Sequence, residues 1–266
     1  MALAVASAIT LITIVTCGLF VLHPWWFPNP VSTLAPAIDR QFTVTFIVCG
    51  ILFALAQITL AYFAWHYRSQ SRTAPVRFSQ TSARLEHVWA VIVALLFFGL
   101  GWAGDRVWSR AAFPAAAPET LRVEVWGEQF AWYFRYPGPD GHFGPVHPRL
   151  MNDGLGNYLG LDRERDAASR DDIVTTTLAV PVGQPVELKL RSKDVIHSFF
   201  VRELRLKQDV IPGTTTAIHF TAKNTGRYEI VCAELCGLGH YKMHADLDVM
   251  TEAQLQEWLS EQAKRQ

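Results

Sequence analysis

The sequence has few charged residues. Lysine, arginine, aspartate and glutamate together make up 18% of its 266 residues, while hydrophobic residues make up 50%. Charged residues are about a quarter of an ordinary soluble domain, so this balance argues against one. Basic and acidic residues are equal in number, at 24 each, and net charge therefore gives no sign of nucleic-acid binding.

Sulfur is also scarce, with four cysteines and four methionines. No Cys-x2-Cys-His sequence occurs, so we expect no covalently attached haem in this chain. Cys17 and Cys49 fall in apolar stretches, where a free thiol behaves as a small apolar side chain. Cys232 and Cys236 are the remaining pair.

Long stretches without charged residues lie in the first half of the chain. Each is long enough, or nearly so, to cross a hydrocarbon core about 30 Å thick at about 1.5 Å per residue. They predict membrane helices over about residues 2–22, 41–67 and 87–108. We therefore expect a membrane anchor at residues 1–108 and an exported domain at residues 109–266; a buried core helix is the alternative for the third stretch.

Arginine residues indicate how this anchor is oriented. Arg68, Arg72, Arg77 and Arg84 crowd the loop between the second and third stretches, and loops rich in Lys and Arg stay in the cytoplasm. The domain after about residue 109 is then outside. The first stretch lacks a basic segment before it, which favours a retained helix over a cleaved signal peptide. Lipoprotein-type cleavage before Cys17 is a further alternative.

Several ligands for soft metals occur close together near the C-terminus. The segment Cys232 to Met243 reads Cys-Ala-Glu-Leu-Cys-Gly-Leu-Gly-His-Tyr-Lys-Met, and His197 lies upstream. Thiolate, imidazole and thioether together favour copper, and a second thiol favours two bridged ions over one. A zinc site would leave Met243 without a role, and a disulfide between the two cysteines would leave the His and Met spacing unexplained.

The remainder of the exported domain alternates between apolar and polar residues, as in Val186, Leu188 and Leu190, with turn sequences between the runs. This pattern predicts an all-β sandwich. Residues 149–172 are polar and weakly periodic, so we expect a long surface excursion, either ordered against a neighbouring subunit or flexible. A capping box at Thr251 and Gln254 predicts a C-terminal helix that packs on the sandwich.

The metal-binding pattern resembles subunit II of the haem-copper cytochrome c oxidases. The matching residues are Cys-x-Glu-x-Cys-x3-His-x2-Met, the upstream Asp-Val-x-His-Ser around His197, and Asp-x-Ile-Pro-Gly at 209–213. The resemblance implies a cupredoxin-like Greek-key fold behind transmembrane helices, and a binuclear copper A centre. Its ligands would be His197, Cys232, the Glu234 carbonyl, Cys236, His240 and Met243, with the Glu234 carboxylate reaching a magnesium ion shared with subunit I.

The resemblance also implies a function and a set of partners. The chain would accept electrons from a c-type cytochrome at the copper centre and pass them to haem in subunit I. There oxygen is reduced to water and protons are moved across the bacterial cytoplasmic membrane. Subunit I, subunit III, the cytochrome and membrane lipid would be its partners. Quinol oxidases lack the copper ligands, and nitrous oxide reductase needs a large second domain. A membrane-tethered copper carrier is the alternative from another class.

Three further residues follow from the same resemblance. Phe130 stands where the family normally has the Trp at which electrons enter, and Trp132 matches the family's second Trp. Glu86, in Leu-Glu-x-x-Trp, resembles a carboxylate at the mouth of a proton path into subunit I. The simpler account is that Glu86 complements a helix dipole. Asp194 is a docking candidate for the cytochrome.

Overall fold

The computed structural model of the chain describes residues 2–22, 27–67, 82–112 and 119–266. Two compact units are present: residues 1–28 with 37–107 form the first, and residues 29–36 with 108–266 form the second. Arg68, Arg72 and Arg77, which carry the predicted orientation in the membrane, lie outside the described residues.

The first unit is helical. It contains helices α1 (Ala2–Val21), α2 (Ala35–His66) and α3 (Ala83–Ala112), and each is long and apolar enough to cross a membrane. The rings of Phe20 on α1 and Phe46 on α2 meet edge to face, with centroids 5.4 Å apart. Gln41 of α2 donates a hydrogen bond from Nε2 to the carbonyl of Leu100 on α3 at 3.2 Å, so its amide has a protein partner within the apolar unit.

The second unit is a sandwich of two five-stranded sheets. Its strands in chain order are β1 (Leu121–Glu128), β2 (Ala131–Tyr136), β3 (Ile173–Thr175), β4 (Thr177–Pro181), β5 (Pro185–Ser192), β6 (His197–Val201), β7 (Leu206–Val210), β8 (Thr216–Thr221), β9 (Gly226–Cys232) and β10 (His244–Met250). One sheet has the order β3-β2-β1-β5-β8, and the other has the order β4-β10-β9-β6-β7. The pairs β1 with β5 and β4 with β10 are parallel.

Alternation along the strands builds the core of the sandwich. Val123 and Val125 of β1, Leu188 of β5, Phe199 of β6 and Ile230 of β9 are all fully buried in one apolar cluster that draws on both sheets. Polar residues occupy many of the intervening positions, as period-2 side-chain direction requires. The prediction of transmembrane-type helices followed by an all-β sandwich is confirmed.

A long segment, residues 137–172, covers the outer face of β1 and β2 and includes the short helix α4 (Ala167–Arg170); we call it the cover segment. Its Leu159 and Leu161 pack against Trp126 and Tyr133 of the sheet, and these four residues form a second small core. The expected excursion is therefore ordered, and it packs on its own sheet. The physical reason is that β1 and β2 carry aromatic residues on both faces, so the outer face also needs protection from water.

A buried cluster of charges ties the cover segment to the sheet. The guanidinium of Arg135 on β2 donates to Glu124 of β1 at 3.1 Å, to Asp172 and to the carbonyl of Gly144 at 2.6 Å. The Arg135 side chain is 1% exposed and that of Asp172 is completely buried. One cation thus binds the cover segment at Gly144, near its start, and at Asp172, its last residue.

Residues 29–36, between α1 and α2, belong to the β unit. The backbone N–H of Val31 donates to the Glu203 carbonyl at 3.0 Å, and the N–H of Lys223 donates to the Val31 carbonyl at 2.7 Å. Ser32 is fully buried. Residues 29–36 therefore pack as part of the sandwich unit.

The C-terminal helix α5 (Glu252–Ala263) begins at the predicted capping box, in which Thr251 and Gln254 bond each other's backbones. Leu255 is buried, and the ring of Trp258 meets that of Tyr136 with centroids 5.7 Å apart. The prediction that this helix packs on the sandwich is confirmed.

Candidate metal centre

Two neighbouring strands and one loop bring the predicted ligands together. His197 opens β6 and Cys232 closes β9, and these strands pair with Phe199 opposite Cys232. The segment 233–243, which we call the ligand loop, then turns from β9 back to β10. A short 3₁₀ turn, His240–Lys242, places Met243 immediately before β10.

The two thiols lie at the centre of the donor cluster. Cys232 Sγ and Cys236 Sγ are 3.9 Å apart, and both thiols are free and buried. A disulfide requires about 2.05 Å between the sulfurs, so the two cysteines form none in this structure. The disulfide interpretation of the pair is wrong.

Four further donor atoms surround these sulfurs. The Glu234 carbonyl oxygen lies 3.2 Å and His197 Nδ1 lies 4.0 Å from Cys232 Sγ. On the other side, His240 Nδ1 is 3.6 Å and Met243 Sδ is 3.8 Å from Cys236 Sγ. His197 is completely buried and Met243 is 1% exposed.

This donor set fits copper. Two thiolates bound to one ion at about 2.3 Å lie roughly 3.8 Å apart at tetrahedral angles, which matches the separation of the sulfurs. A single tetrahedral zinc needs four ligands and makes no use of a thioether, whereas six donors converge here. His219 and His244, the other imidazoles near this part of the sequence, are not in this cluster; His219 Nε2 instead lies 3.7 Å from Glu187.

The thiol of Cys236 holds its proton strongly when no metal is bound. Burial, followed by the neighbouring Cys232 thiol, raises the pKa of Cys236 to about 11. A metal bound as the thiolate complex must therefore displace a proton at neutral pH.

His197 is oriented by a carboxylate that lies three residues before it. Asp194 Oδ1 accepts a hydrogen bond from His197 Nε2 at 2.8 Å, and this bond assigns the imidazole proton to Nε2. Nδ1, which faces Cys232, is then free to bind a metal. Burial acts to raise the pKa of Asp194, but the hydrogen bonds from the Gln129 N–H and from His197 outweigh it and hold that pKa below its usual value.

Phe130 and Trp132 occupy different places around the cluster. Phe130 is 37% exposed and its ring packs against Gly237 and Gly239 of the ligand loop. Trp132 is only 1% exposed, and its ring meets that of His197 edge to face at 5.9 Å between centroids. Gly127 makes this packing possible, because a Cβ there would lie 3.0 Å from the His197 ring.

Glu86 lies in the other unit, in the first turn of α3, and is exposed. The carbonyl of Ser82 accepts the N–H of Glu86 at 3.2 Å, which is the start of the helix. The position favours a negative charge because the backbone N–H groups of a helix N-terminus point towards it.

Two contributors to the site were missed by sequence reasoning. The orienting role of Asp194 has a signal, a carboxylate three residues before a candidate His ligand. Gln129 has no comparable signal, although its side chain donates to the Cys236 carbonyl at 2.5 Å.

Comparison with known proteins places these features in a family. Residues 121–250 match the family model "Cytochrome C oxidase subunit II, periplasmic domain". The chain is 34% identical to the alternative cytochrome c oxidase subunit 2 of Bradyrhizobium diazoefficiens over 264 residues, which cover 98% of this chain and 92% of the relative. It is 27% identical to cytochrome c oxidase subunit 2 of Cereibacter sphaeroides, over 89% of this chain and 78% of the relative.

Among solved structures, the periplasmic domain of subunit II of cytochrome oxidase from Bradyrhizobium japonicum is 26% identical. That alignment covers 56% of this chain and 99% of the other, with a TM-score of 0.42. The similarity to the Bradyrhizobium diazoefficiens relative extends over nearly the whole of both chains and includes the helices as well as the sandwich. This chain belongs to the cytochrome c oxidase subunit II family.

Proposed function

We propose that this chain is the subunit at which a c-type cytochrome delivers electrons to a haem-copper oxidase. The residues that would hold a copper A centre are His197, Cys232, the Glu234 carbonyl, Cys236, His240 and Met243. The observation that carries the proposal is the pair of free, buried thiols 3.9 Å apart with four further donors around them. When bound, a pair of bridged coppers supplies a one-electron carrier.

The protein's own part is to hold these donors in place before and after the electron arrives. His197 is completely buried and bonded to Asp194, and Cys232 is set by the β9 backbone. Ligands fixed by packing and by hydrogen bonds move little on a change of charge, which keeps the reorganisation cost of electron transfer low.

The surface around the ligand loop is suited to partners. Leu235, Leu238 and Tyr241 are 78%, 98% and 78% exposed, an unusual run of apolar side chains for a solvated loop. We assign this face to contacts with subunit I and with the cytochrome, and we assign electron arrival to the region of Phe130. The exposed carboxylate of Glu234 is the side chain we assign to a magnesium ion at the border with subunit I.

The topology supports a multi-pass protein of the bacterial cytoplasmic membrane with an outer sandwich. Residues 29–36 are part of the β unit, and α2 and α3 separate them in sequence from the sandwich. Both helices must then cross, or neither. Their length and apolar composition favour crossing.

Copurification is the test of this function. A tagged chain isolated from its native membrane in mild detergent should carry with it a haem-containing subunit, with subunit III as a further expected component. The preparation should consume oxygen when supplied with a reduced c-type cytochrome. If the chain is instead a membrane-tethered copper carrier, it will purify without haem and will exchange its copper with a soluble acceptor.

A further inference from the structure

The turn between β1 and β2 is hydrogen-bonded to both arms of the candidate metal centre. Gln129 donates from its side-chain Nε2 to the Cys236 carbonyl at 2.5 Å. The backbone N–H of the same residue donates to Asp194 Oδ2 at 2.8 Å. The other oxygen of Asp194 accepts from His197 Nε2, also at 2.8 Å. One residue therefore connects the strand-borne ligand His197 to the loop-borne ligand Cys236.

The ligand loop depends on this connection because it has few other supports. Its two ends are held by backbone bonds, from Ala233 N–H to the Ser198 carbonyl at 2.9 Å and from Cys232 N–H to the Met243 carbonyl at 3.1 Å. Among the described residues, the bond from Gln129 is the one hydrogen bond that joins the backbone of residues 234–239 to a residue outside 232–243.

The same stretch is rich in glycine. It contains Gly237 and Gly239, and glycine has the widest backbone freedom of any residue. Gly237 has φ of 134°, a conformation that other residues rarely adopt, and an added Cβ there would lie 2.9 Å from Gln129 Nε2 and 3.2 Å from the Phe130 ring. Because these two glycines have no side chain, the turn between β1 and β2 can lie close to the ligand loop.

We infer that the carboxamide of Gln129 is a positioning residue for the copper ligands, fixing the Cys236 side of the ligand loop relative to His197. The inference rests on the proposed copper centre. The residue needs no contact with copper or with a cytochrome; it acts through the backbone that carries Cys236. Preorganisation of this kind sets how closely the donors hold their geometry.

The variant Gln129→Met tests the inference in the full-length chain in detergent. Methionine keeps the length of the side chain and leaves the backbone bond to Asp194 intact, but it removes the N–H donor. Gln129→Glu keeps the shape and also removes the donor. Gln256→Met is the matched control, because Gln256 makes an exposed hydrogen bond to Glu252 at 2.8 Å on α5.

Two measurements apply, one without metal and one with it. In the metal-free chain, amide hydrogen exchange in residues 233–240 should become roughly threefold to tenfold faster in both Gln129 variants, the factor expected for the loss of one net hydrogen bond. After loading with Cu²⁺, the hyperfine splitting in the electron paramagnetic resonance spectrum and the reduction potential should both shift. The Gln256 variant should match the parent chain in each measurement.

The outcomes separate this inference from the proposed function. The inference is overturned if Gln129→Met leaves both amide exchange and the copper spectrum unchanged. It is also overturned if the variant changes only the rate of copper reduction by a cytochrome donor, because Gln129 would then be a docking residue. If the parent chain binds no copper pair while amide exchange still becomes faster in the variant, the proposed function fails, but the role of Gln129 in holding the ligand loop is supported.

Discussion

Asp194 accepts a hydrogen bond from His197 Nε2 at 2.8 Å, and the opposite nitrogen of that ring faces Cys232 Sγ at 4.0 Å. A carboxylate behind a histidine fixes both its tautomer and its ring orientation, and it makes the free nitrogen a stronger donor. The local sequence Asp-x-x-His thus prepares one candidate metal ligand within a single turn of chain.

Replacing Asp194 by Ala should lower the affinity for copper by about tenfold or more, the range found for losing the carboxylate partner of a metal-binding histidine. The copper affinity of Asp194→Asn should lie between those of Asp194→Ala and the parent chain, because Asn can still accept one hydrogen bond. Competition with a copper chelator measures the affinity. Asp140→Ala is the control, because Asp140 accepts only from the backbone of its own turn. Equal affinity for the parent and Asp194→Ala would remove the orienting role.

Arg135 should matter for folding and not for copper chemistry. Arg135→Met leaves Asp172 buried without its cation and leaves Glu124 with only the more exposed Arg191 at 3.5 Å, so we expect the free energy of unfolding to fall by about 3–5 kcal/mol. Urea unfolding followed by tryptophan fluorescence measures it. Arg227→Met, which removes an exposed pair with Asp248, should change stability little. A small effect at Arg135 would show that the charge cluster does not hold the cover segment.

Phe130 and Trp132 should respond differently because one is at the surface and the other lies behind His197. Truncating an aromatic hot spot at an interface costs a factor of ten or more, so Phe130→Ala should slow reduction by a c-type cytochrome roughly tenfold if electrons arrive there. Reduction by a small chemical reductant should be unaffected. Trp132→Phe should instead shift the copper spectrum while the donor rate changes less. Stopped-flow absorbance with both reductants separates the two, and Leu155→Ala, an exposed residue on the cover segment, is the control. An unchanged donor rate in both aromatic variants would place electron arrival elsewhere.

Glu86→Gln probes the proton path we assign to the start of α3. The substitution keeps the shape of the side chain but removes its ability to release a proton, so oxygen turnover by the assembled complex should slow while copper reduction remains normal. Rapid-mixing measurement of copper reduction beside steady-state oxygen consumption checks this. If both rates slow equally, or if neither changes, Glu86 serves only the helix terminus.

Much of the fold could be predicted because its signals are local. Charge-free stretches locate the apolar part of each helix. Helix α2 nevertheless begins at Ala35, six residues before the predicted residue 41, because a helix can continue beyond its apolar stretch through Asp39 and Arg40. Alternation at Val186, Leu188 and Leu190 located β5. The order of the polar cover segment could not be predicted, since it comes from Arg135 and from the second core under Trp126, contacts that no local pattern reveals.

The candidate site also contains residues that the sequence could predict and a residue that it could not. The donor residues were visible because thiol, imidazole and thioether have distinctive chemistry at short spacing. Gln129 was not visible, because it is 107 residues from Cys236 in sequence and its amide could serve almost any contact. Such a residue is found only when the fold has brought the two together.

The count of copper ions per chain, measured with the electron paramagnetic resonance spectrum of the same sample, tests the central claim most directly. We expect two coppers per chain and a mixed-valence signal from one unpaired electron shared between them. Cys232→Ser and Cys236→Ser should each abolish that signal. One copper per chain with a localised signal, or a tightly held zinc in place of copper, would contradict the account.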